Sequence, residues 1–282
     1  MNINDFDLYK DLLKKKSGLT LTPDKAYLID SRLTPVAKKW GYDSVDAMSL
    51  ILRGIPDPAL ITDIVEAMTT NETSFFRDNR PFDMFNNTIL PYLIKKRGIQ
   101  KSINIWSAAA SSGQEPYSLA MLIKEKGAVL NNWNIRITGT DISHEILDHA
   151  RKGVYSQFEV QRGLPIQLLM KYFDKTEETW TVKEDLRKMI QYDYLNLLED
   201  IGRLNKFDII FCRNVLIYFD EPTKKMVLEK LATKLENDGF LVLGGAETVL
   251  GITDAFKLAE SHRGLYVLRN GTFDAKELAV AV

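Results

Sequence analysis

The chain has 282 residues and a mass of 32.2 kDa, long for one hydrophobic core, so one large domain or two modest ones are expected. A hydrophobic fraction of 45% and a charged fraction of 27% exclude global disorder and collagen-like structure. With 37 Lys and Arg against 38 Asp and Glu, the balance lacks the basic excess of a general nucleic-acid binder, so no nucleic-acid partner is expected. Cys212 has no partner for a disulfide, and His144, His149 and His262 are scattered without metal-ligand spacing. The polar start, MNINDFDLYKD, does not read as a signal peptide, and no apolar run is long enough to span a bilayer. A cytoplasmic protein without membrane insertion is expected.

Residues 4–75 carry helical periodicity. Phe6, Leu8, Tyr9, Leu12 and Leu13 share a face before Gly18 stops the helix. Thr22 before Pro23 predicts an N-cap, and Ala26, Ile29, Leu33 and Val36 continue as a second helix that Pro35 should kink or break. Ser44 and Asp57 predict caps for two more helices, giving a small all-helical domain of four. The domain is assigned residues 1–75.

A helix over 78–97 then precedes an alternation. SINIWSAA, NIRITGTD, the YDYLNLL region, KFDIIFCRN, FLVLGG and RGLYVLRN read as strands, with helices between them and a short one near 196–204. The class is α/β, a doubly wound sheet over residues 76–282. Between 154 and 191 the pattern breaks into a short helix and two or three short strands, read as a β-rich insertion at the sheet edge.

Chemistry gathers in the loops. Ser107–Gly113 are seven small residues between a buried strand and a helix, which lets a ligand approach the backbone, with Ala109 and Gly113 as candidate contacts. Only one of the seven is glycine, and Glu115 would repel a phosphate, so a cationic or zwitterionic nucleoside suits the loop better than a dinucleotide. Glu115 alone also reads as a first-turn helix residue. Asp141, at the tip of the second strand, is placed either to accept ribose hydroxyls or to cap the next helix. Asn196 and Leu197 end the third strand, where an adenine edge is commonly met. Arg213, Asn214 and Tyr218 follow the fourth, and no Asn/Asp-Pro-Pro-aromatic turn of nucleic-acid amino-methyltransferases is present. Cys212 reads as a buried strand residue. In TTNETSFFRDNRPF, Asn71, Thr73 and Arg77 beside Phe75 and Phe76 suit a strap over a pocket.

NETSFFRD, IWSAAASSGQEPYSLAM, GTDIS, NLL and FDIIFCRNVLIYFD resemble, in order, the blocks of the CheR-type chemoreceptor glutamate methyltransferases. The resemblance implies a doubly wound S-adenosylmethionine-binding sheet behind the helical domain. It implies methyl transfer from S-adenosylmethionine to glutamate side chains in the helical cytoplasmic region of transmembrane chemoreceptors, with S-adenosylhomocysteine as product. By the same resemblance Asn71, Thr73, Arg77, Glu115, Asp141, Asn196, Leu197, Asn214 and Val215 match cofactor-contacting positions, and Tyr218 a tyrosine near the transferred methyl. Arg77 is a candidate for holding either the substrate or the cofactor carboxylate. The family is also credited with an arginine in the helix before the first strand, but Lys95, Lys96 and Arg97 leave its register unassigned. The first loop has Ser-Gly-Gln-Glu where many relatives have Thr-Gly-Glu-Glu. The insertion corresponds to a subdomain that in some members docks a short receptor C-terminal peptide by strand addition.

A glutamate is already an anion at neutral pH, so the reaction needs in-line placement rather than a general base. Lys14–Lys16 with Lys38 and Lys39 offer a basic surface for acidic receptor helices, or simply a solvated face. The rival readings are a methyltransferase of a small carboxylate, a non-catalytic S-adenosylmethionine-binding regulator and, last, a nicotinamide-dependent dehydrogenase.

Overall fold

The computed structural model describes residues 3–259 and 262–277. Its first four helices are α1 (Ile3–Ser17), α2 (Tyr27–Lys39), α3 (Val45–Leu52) and α4 (Pro58–Met68). Gly18 ends α1 with φ +77°, a conformation in which an L side chain is strained. Ser44 Oγ caps α3 by accepting from Ala47 N at 3.0 Å, and Asp57 Oδ1 caps α4 by accepting from Ala59 N at 2.8 Å. Tyr9, Leu13, Ile29, Leu33, Met48 and Ile64 are fully buried between the four helices. Each such side chain contributes about 1.5–3 kcal/mol.

Two local expectations hold only in part here. Thr22 holds the N-cap position before Pro23, but of a short 3₁₀ turn over Pro23–Lys25 that precedes α2, and its side chain makes no capping bond. Pro35 neither ends nor splits α2; it sits on the exposed face, while Ile29, Leu33 and Val36 hold the opposite face in the core.

The chain then runs through α5 (Arg80–Met84), one π turn (Phe85–Ile89) and α6 (Leu90–Lys96) as nearly one helix. Pro91 has no N–H for the regular ladder, and the widened turn directly before it accommodates the defect. Next come β1 (Ser102–Ser107), α7 (Gln114–Glu125), β2 (Asn134–Asp141) and α8 (His144–Lys152). The insertion holds β3 (Val154–Ser156), α9 (Gln157–Gln161), α10 (Ile166–Tyr172), β4 (Phe173–Thr176) and β5 (Thr179–Val182), and α11 (Glu184–Arg187) leads back to the main sheet. The chain continues with β6 (Ile190–Tyr194), β7 (Phe207–Cys212), α12 (Glu221–Lys234), β8 (Leu235–Leu243), β9 (Phe256–Leu258) and β10 (Leu265–Leu268).

The main sheet has the order β6-β2-β1-β7-β8-β10-β9. Its first five strands pair in parallel, and β10 runs antiparallel to β8 and β9. Side chains of β7 alternate, with Ile209 and Phe211 in one core layer and Ile210 and Cys212 in the other. Both faces of the sheet are therefore covered, as parallel strands require. Cys212 is fully buried, and burial pushes its thiol well up, which suits packing and not nucleophilic attack.

A separate antiparallel sheet, β3-β5-β4, forms the insertion, while Ile190 and Gln191 already belong to β6 of the main sheet. The insertion packs on the 69–79 strap. A Cβ on Gly163 (φ +88°) would lie 2.1 Å from Phe75 O, so only glycine fits there. The helix expected near 196–204 is absent. Asn196 Oδ1 takes the Leu198 N–H and Asp200 Oδ1 takes the Gly202 N–H, two Asx turns that compete with helix. The three-residue β9 was not foreseen; it is too short to show a strand period.

Candidate active site

In a doubly wound sheet, ligands gather beyond the carboxyl ends of the strands where strand order reverses. Here that place lies between β1, β2 and β7, and an open cavity occupies it. Asn71, Thr73 and Arg77 from the strap, Ala109 and Glu115, Asp141, Asn196 and Leu197, and Asn214, Val215 and Tyr218 all line it. Ser17 and Leu19 from the helical module close one side.

Asp141 is buried at the end of β2 with backbone donors and, among the described residues, no cation. Oδ2 accepts from Ser111 N at 2.9 Å and Oδ1 from Ser143 N at 3.2 Å. Burial pushes its carboxyl above the usual range, against the pull of those N–H groups. Ser111 is held left-handed at φ +49°, and its hydroxyl donates to Asn71 O at 2.7 Å, tying the small-residue loop to the strap. Gly113 does not line the cavity. It opens α7 at φ +94°, where a Cβ would come 2.7 Å from Tyr192 Oη, so its role is to let α7 pack closely.

Glu115 is one half of a buried ion pair. Its Oε1 accepts from Ser107 Oγ at 2.7 Å and its Oε2 from Arg213 Nη1 at 2.7 Å. The Arg213 side chain is 2% exposed and also donates to Arg77 O and Asp78 Oδ2, each at 2.8 Å. Its guanidinium lies 5.5 Å from the Phe82 ring centroid, and its Nε is buried without a partner. One arginine thus joins the acid of α7 to a strap turn in which Phe76, Asp78 and Asn79 all have positive φ. Arg77 itself donates to Glu72 O at 2.7 Å while lining the cavity.

The turn after β7 is organised by a residue the sequence reading missed, Glu247. Its carboxylate accepts four backbone N–H bonds: Asn214 at 2.9 Å, Val215 at 3.0 Å, Leu216 at 2.8 Å and Gly244 at 2.7 Å. This anion holds Asn214 at φ +59° and so sets where Tyr218 emerges. A lone Glu in the glycine-rich GGAET loop after a buried strand was the available signal. Tyr218 O in turn accepts from Thr20 N at 2.9 Å, and Asn196 Nδ2 donates to Lys16 O at 2.7 Å, so the end of α1 braces both loops. One Asn196 N–H is thereby committed to protein, leaving backbone and the second N–H for a ligand.

Residues 71–265 match the CheR methyltransferase SAM-binding domain, and residues 4–69 match the CheR methyltransferase all-alpha domain. The chain belongs to the CheR methyltransferase family. It is 37% identical over 265 residues to the chemotaxis protein methyltransferase Cher2 of Pseudomonas putida, covering 93% of this chain and 96% of that protein. It is 38% identical to chemotaxis protein methyltransferase 1 of Pseudomonas aeruginosa, with the same coverages, and 38% identical to chemotaxis protein methyltransferase 1 of Vibrio cholerae, covering 91% and 94%.

The chain is accordingly an S-adenosylmethionine-dependent methyltransferase, and the donor set of the CheR-family cavity fits that cofactor. Asp141, a buried carboxylate that pairs with no cation among the described residues, has lone pairs for hydroxyl donors, and Glu115 lines the same cavity as an acid whose charge Arg213 balances. The helix arginine left open by the sequence is not Arg97. Arg97 binds Asp208 and Asp238 at the start of β7 and β8, the opposite end of the sheet from the cavity. No helix among the described residues is long and apolar enough to cross a membrane.

Proposed function

We propose that this protein transfers a methyl group from S-adenosylmethionine to glutamate carboxylates in the cytoplasmic helical region of chemoreceptors, as a cytoplasmic enzyme. In this reading residues 76–282 carry the reaction and residues 1–75 form a helical module beside its entrance. The observation that carries it is the single cavity in which Asp141, Glu115 and Tyr218 meet under the strap. Asp141 would accept the ribose hydroxyls, Glu115 the cofactor's ammonium group, and Asn196 and Leu197 would border the adenine. Bound S-adenosylmethionine supplies an electrophilic sulfonium methyl. The protein's part is placement: the strap and the turn after β7 exclude water, and the Tyr218 hydroxyl orients the incoming carboxylate. Arg77 sits at the same wall and would hold negative charge from substrate or cofactor.

The deciding assay is transfer of labelled methyl to a chemoreceptor cytoplasmic fragment, followed by alkali. Base-labile label released as methanol is the expected result; label resistant to alkali would overturn ester formation. Free acids as the better acceptors would instead favour the small-carboxylate reading. Tyr218→Phe is expected to slow transfer about 10–100-fold while S-adenosylhomocysteine affinity changes less than about 3-fold. Equal losses in both would remove the orienting role.

Two surfaces suit the receptor. The last turn of α1 carries Lys15 and Lys16, both exposed, next to the loops of Asn196 and Tyr218. Lys14 and Lys39 are partly committed, to Asp220 at 2.7 Å and to Asp63 at 2.8 Å. Reversing Lys15 and Lys16 to Glu is expected to raise KM for the receptor about 10-fold at low ionic strength, with the effect shrinking as salt is added. A KM that ignores salt would dismiss the surface. In the insertion, β3 and β4 are the outer strands of their sheet, an arrangement to which a receptor C-terminal peptide could add a strand.

A further inference from the structure

The last turn of α4 carries a carboxylate that lies outside the cofactor cavity and yet reaches the β2–α8 turn. Glu66 Oε2 accepts from Ser143 Oγ at 2.9 Å and from Glu145 N at 3.4 Å, and Oε1 accepts from His144 N at 2.9 Å. These N–H groups are the orphan donors of the α8 N-terminus, and a carboxylate there is favoured by the helix dipole. The cap is supplied in trans, from the helical module to the sheet domain.

Ser143 is the shared element. Its N–H donates to Asp141 Oδ1 at 3.2 Å, its hydroxyl donates to Glu66, and its Oγ accepts from Ile146 N at 3.3 Å. The other side of Asp141 is fixed by Ser111 N, and Ser111 Oγ holds Asn71 O on the strap that continues from α4. The chain therefore closes a circuit from α4 through the strap, Ser111, Asp141 and Ser143 back to α4. Asp141 is held from both ends of one helical segment.

We propose that Glu66 is a positioning residue for the cofactor ribose: it fixes the Ser143 turn that aims the Asp141 carboxylate, so the helical module tunes cofactor affinity without touching the cofactor. The proposal rests on the reading of Asp141 as the ribose acceptor. A charge effect accompanies the geometric one. The titratable and charged groups around this turn are Lys39 on α2, Asp63 and Glu66 on α4, His144 and Glu145 on α8, Glu72 and Arg77 on the strap, Glu115 on α7 and Arg213 after β7. Burial raises the Asp141 carboxyl, and the Glu66 charge pushes it the same way. Ribose acceptance needs the carboxylate, so affinity falls as pH drops through that raised value. Removing the Glu66 charge lowers it and moves the acid limb of binding to lower pH.

The test is calorimetric titration of S-adenosylhomocysteine into the full chain from about pH 4 to pH 8, a range that runs upward from ordinary carboxyl values. Glu66→Gln is expected to weaken binding about 10-fold at neutral pH, since one amide cannot replace two accepting oxygens, and to shift the acid limb downward. Glu66→Asp keeps the charge and should keep the parental limb while losing part of the affinity. Ser143→Ala should reproduce the neutral-pH loss, and the double variant should lose little more. KM for S-adenosylmethionine should rise more than kcat falls.

Parental affinity and an unmoved limb in Glu66→Gln would overturn the proposal. A lower melting temperature with an unmoved limb would also overturn it, by leaving only a structural role. Asp141→Asn separates the two readings. If it leaves S-adenosylhomocysteine binding intact, the ribose assignment itself fails; if it abolishes binding while Glu66→Gln changes nothing, only the positioning role does.

Discussion

Arg213→Met is expected to destabilise the fold by about 3–5 kcal/mol and to weaken S-adenosylhomocysteine binding by at least about 10-fold. Methionine keeps the volume between Phe82 and Glu115 but removes the cation. The Glu115 Oε2 would then stand buried without its 2.7 Å partner, and the strap would lose the two bonds to Arg77 O and Asp78. Most of the stability loss belongs to the stranded acid, so Arg213→Met combined with Glu115→Gln should recover much of it. Cofactor affinity should not recover, because the strap anchor and the acid are both gone. Arg213→Lys should fold nearly normally yet bind weakly, since a point charge cannot reach three acceptors in a planar fork. Urea unfolding and calorimetric titration read the two effects separately. A single variant that loses less than about 1 kcal/mol would show that Glu115 needs no buried counter-charge.

The same pair shows why the fold and the site differ in how far the sequence reveals them. Helical periods around Ile29, Leu33 and Val36, and the apolar run before Arg213, are local signals. They led to the four-helix module and the alternating sheet. Pro35 misled because its ring faces solvent, where the helix bears the lost bond without losing its core face. The 196–204 segment misled because its leucines keep a helical spacing while Asn196 and Asp200 spend their side chains on turns. Strand order brings the Ser107 loop, Asp141, Asn196 and Asn214 to one end, and the strand-then-polar-loop pattern made that clustering legible. Gly113 stood in the same loop but faces Tyr192 and Tyr117, a difference only the turn's geometry decides.

What stayed hidden are the carboxylates that hold backbone. Glu66 and Glu247 bind N–H groups at sequence separations of up to 79 and 33 residues, and no spacing rule connects them to the elements they fix. Arg213 was visible as a polar residue after a strand, while its partner Glu115 was visible as an acid in a loop. Their pairing across 98 residues was not. The strap joins these pieces physically: Asn71 O receives Ser111, Arg77 O receives Arg213, and the Phe76 N–H donates to Ser118 Oγ at 3.0 Å. Residues that line the cavity therefore also join the helical module to the sheet.

Glu247→Ala is the sharper test of how the turn after β7 works. Four backbone donors lose one anionic acceptor, and each buried unsatisfied N–H costs about 1–3 kcal/mol, reduced where water enters the space left. A net loss of about 3 kcal/mol or more is expected, with Asn214 released from its left-handed conformation. Tyr218 lies three residues beyond Val215 and lines the cavity, so its side chain would lose its set place there. The chemical consequence should exceed the binding one: kcat/KM for methyl transfer falling about 100-fold or more, against an S-adenosylhomocysteine affinity reduced about 10-fold. Glu247→Gln keeps the volume but points an NH₂ group at N–H donors, so it should resemble alanine more than the parent. Combining Glu247→Gln with Tyr218→Phe isolates the cause. If the carboxylate acts by holding Tyr218, the second substitution adds little to the loss of transfer; additive losses would mean that the two residues act independently.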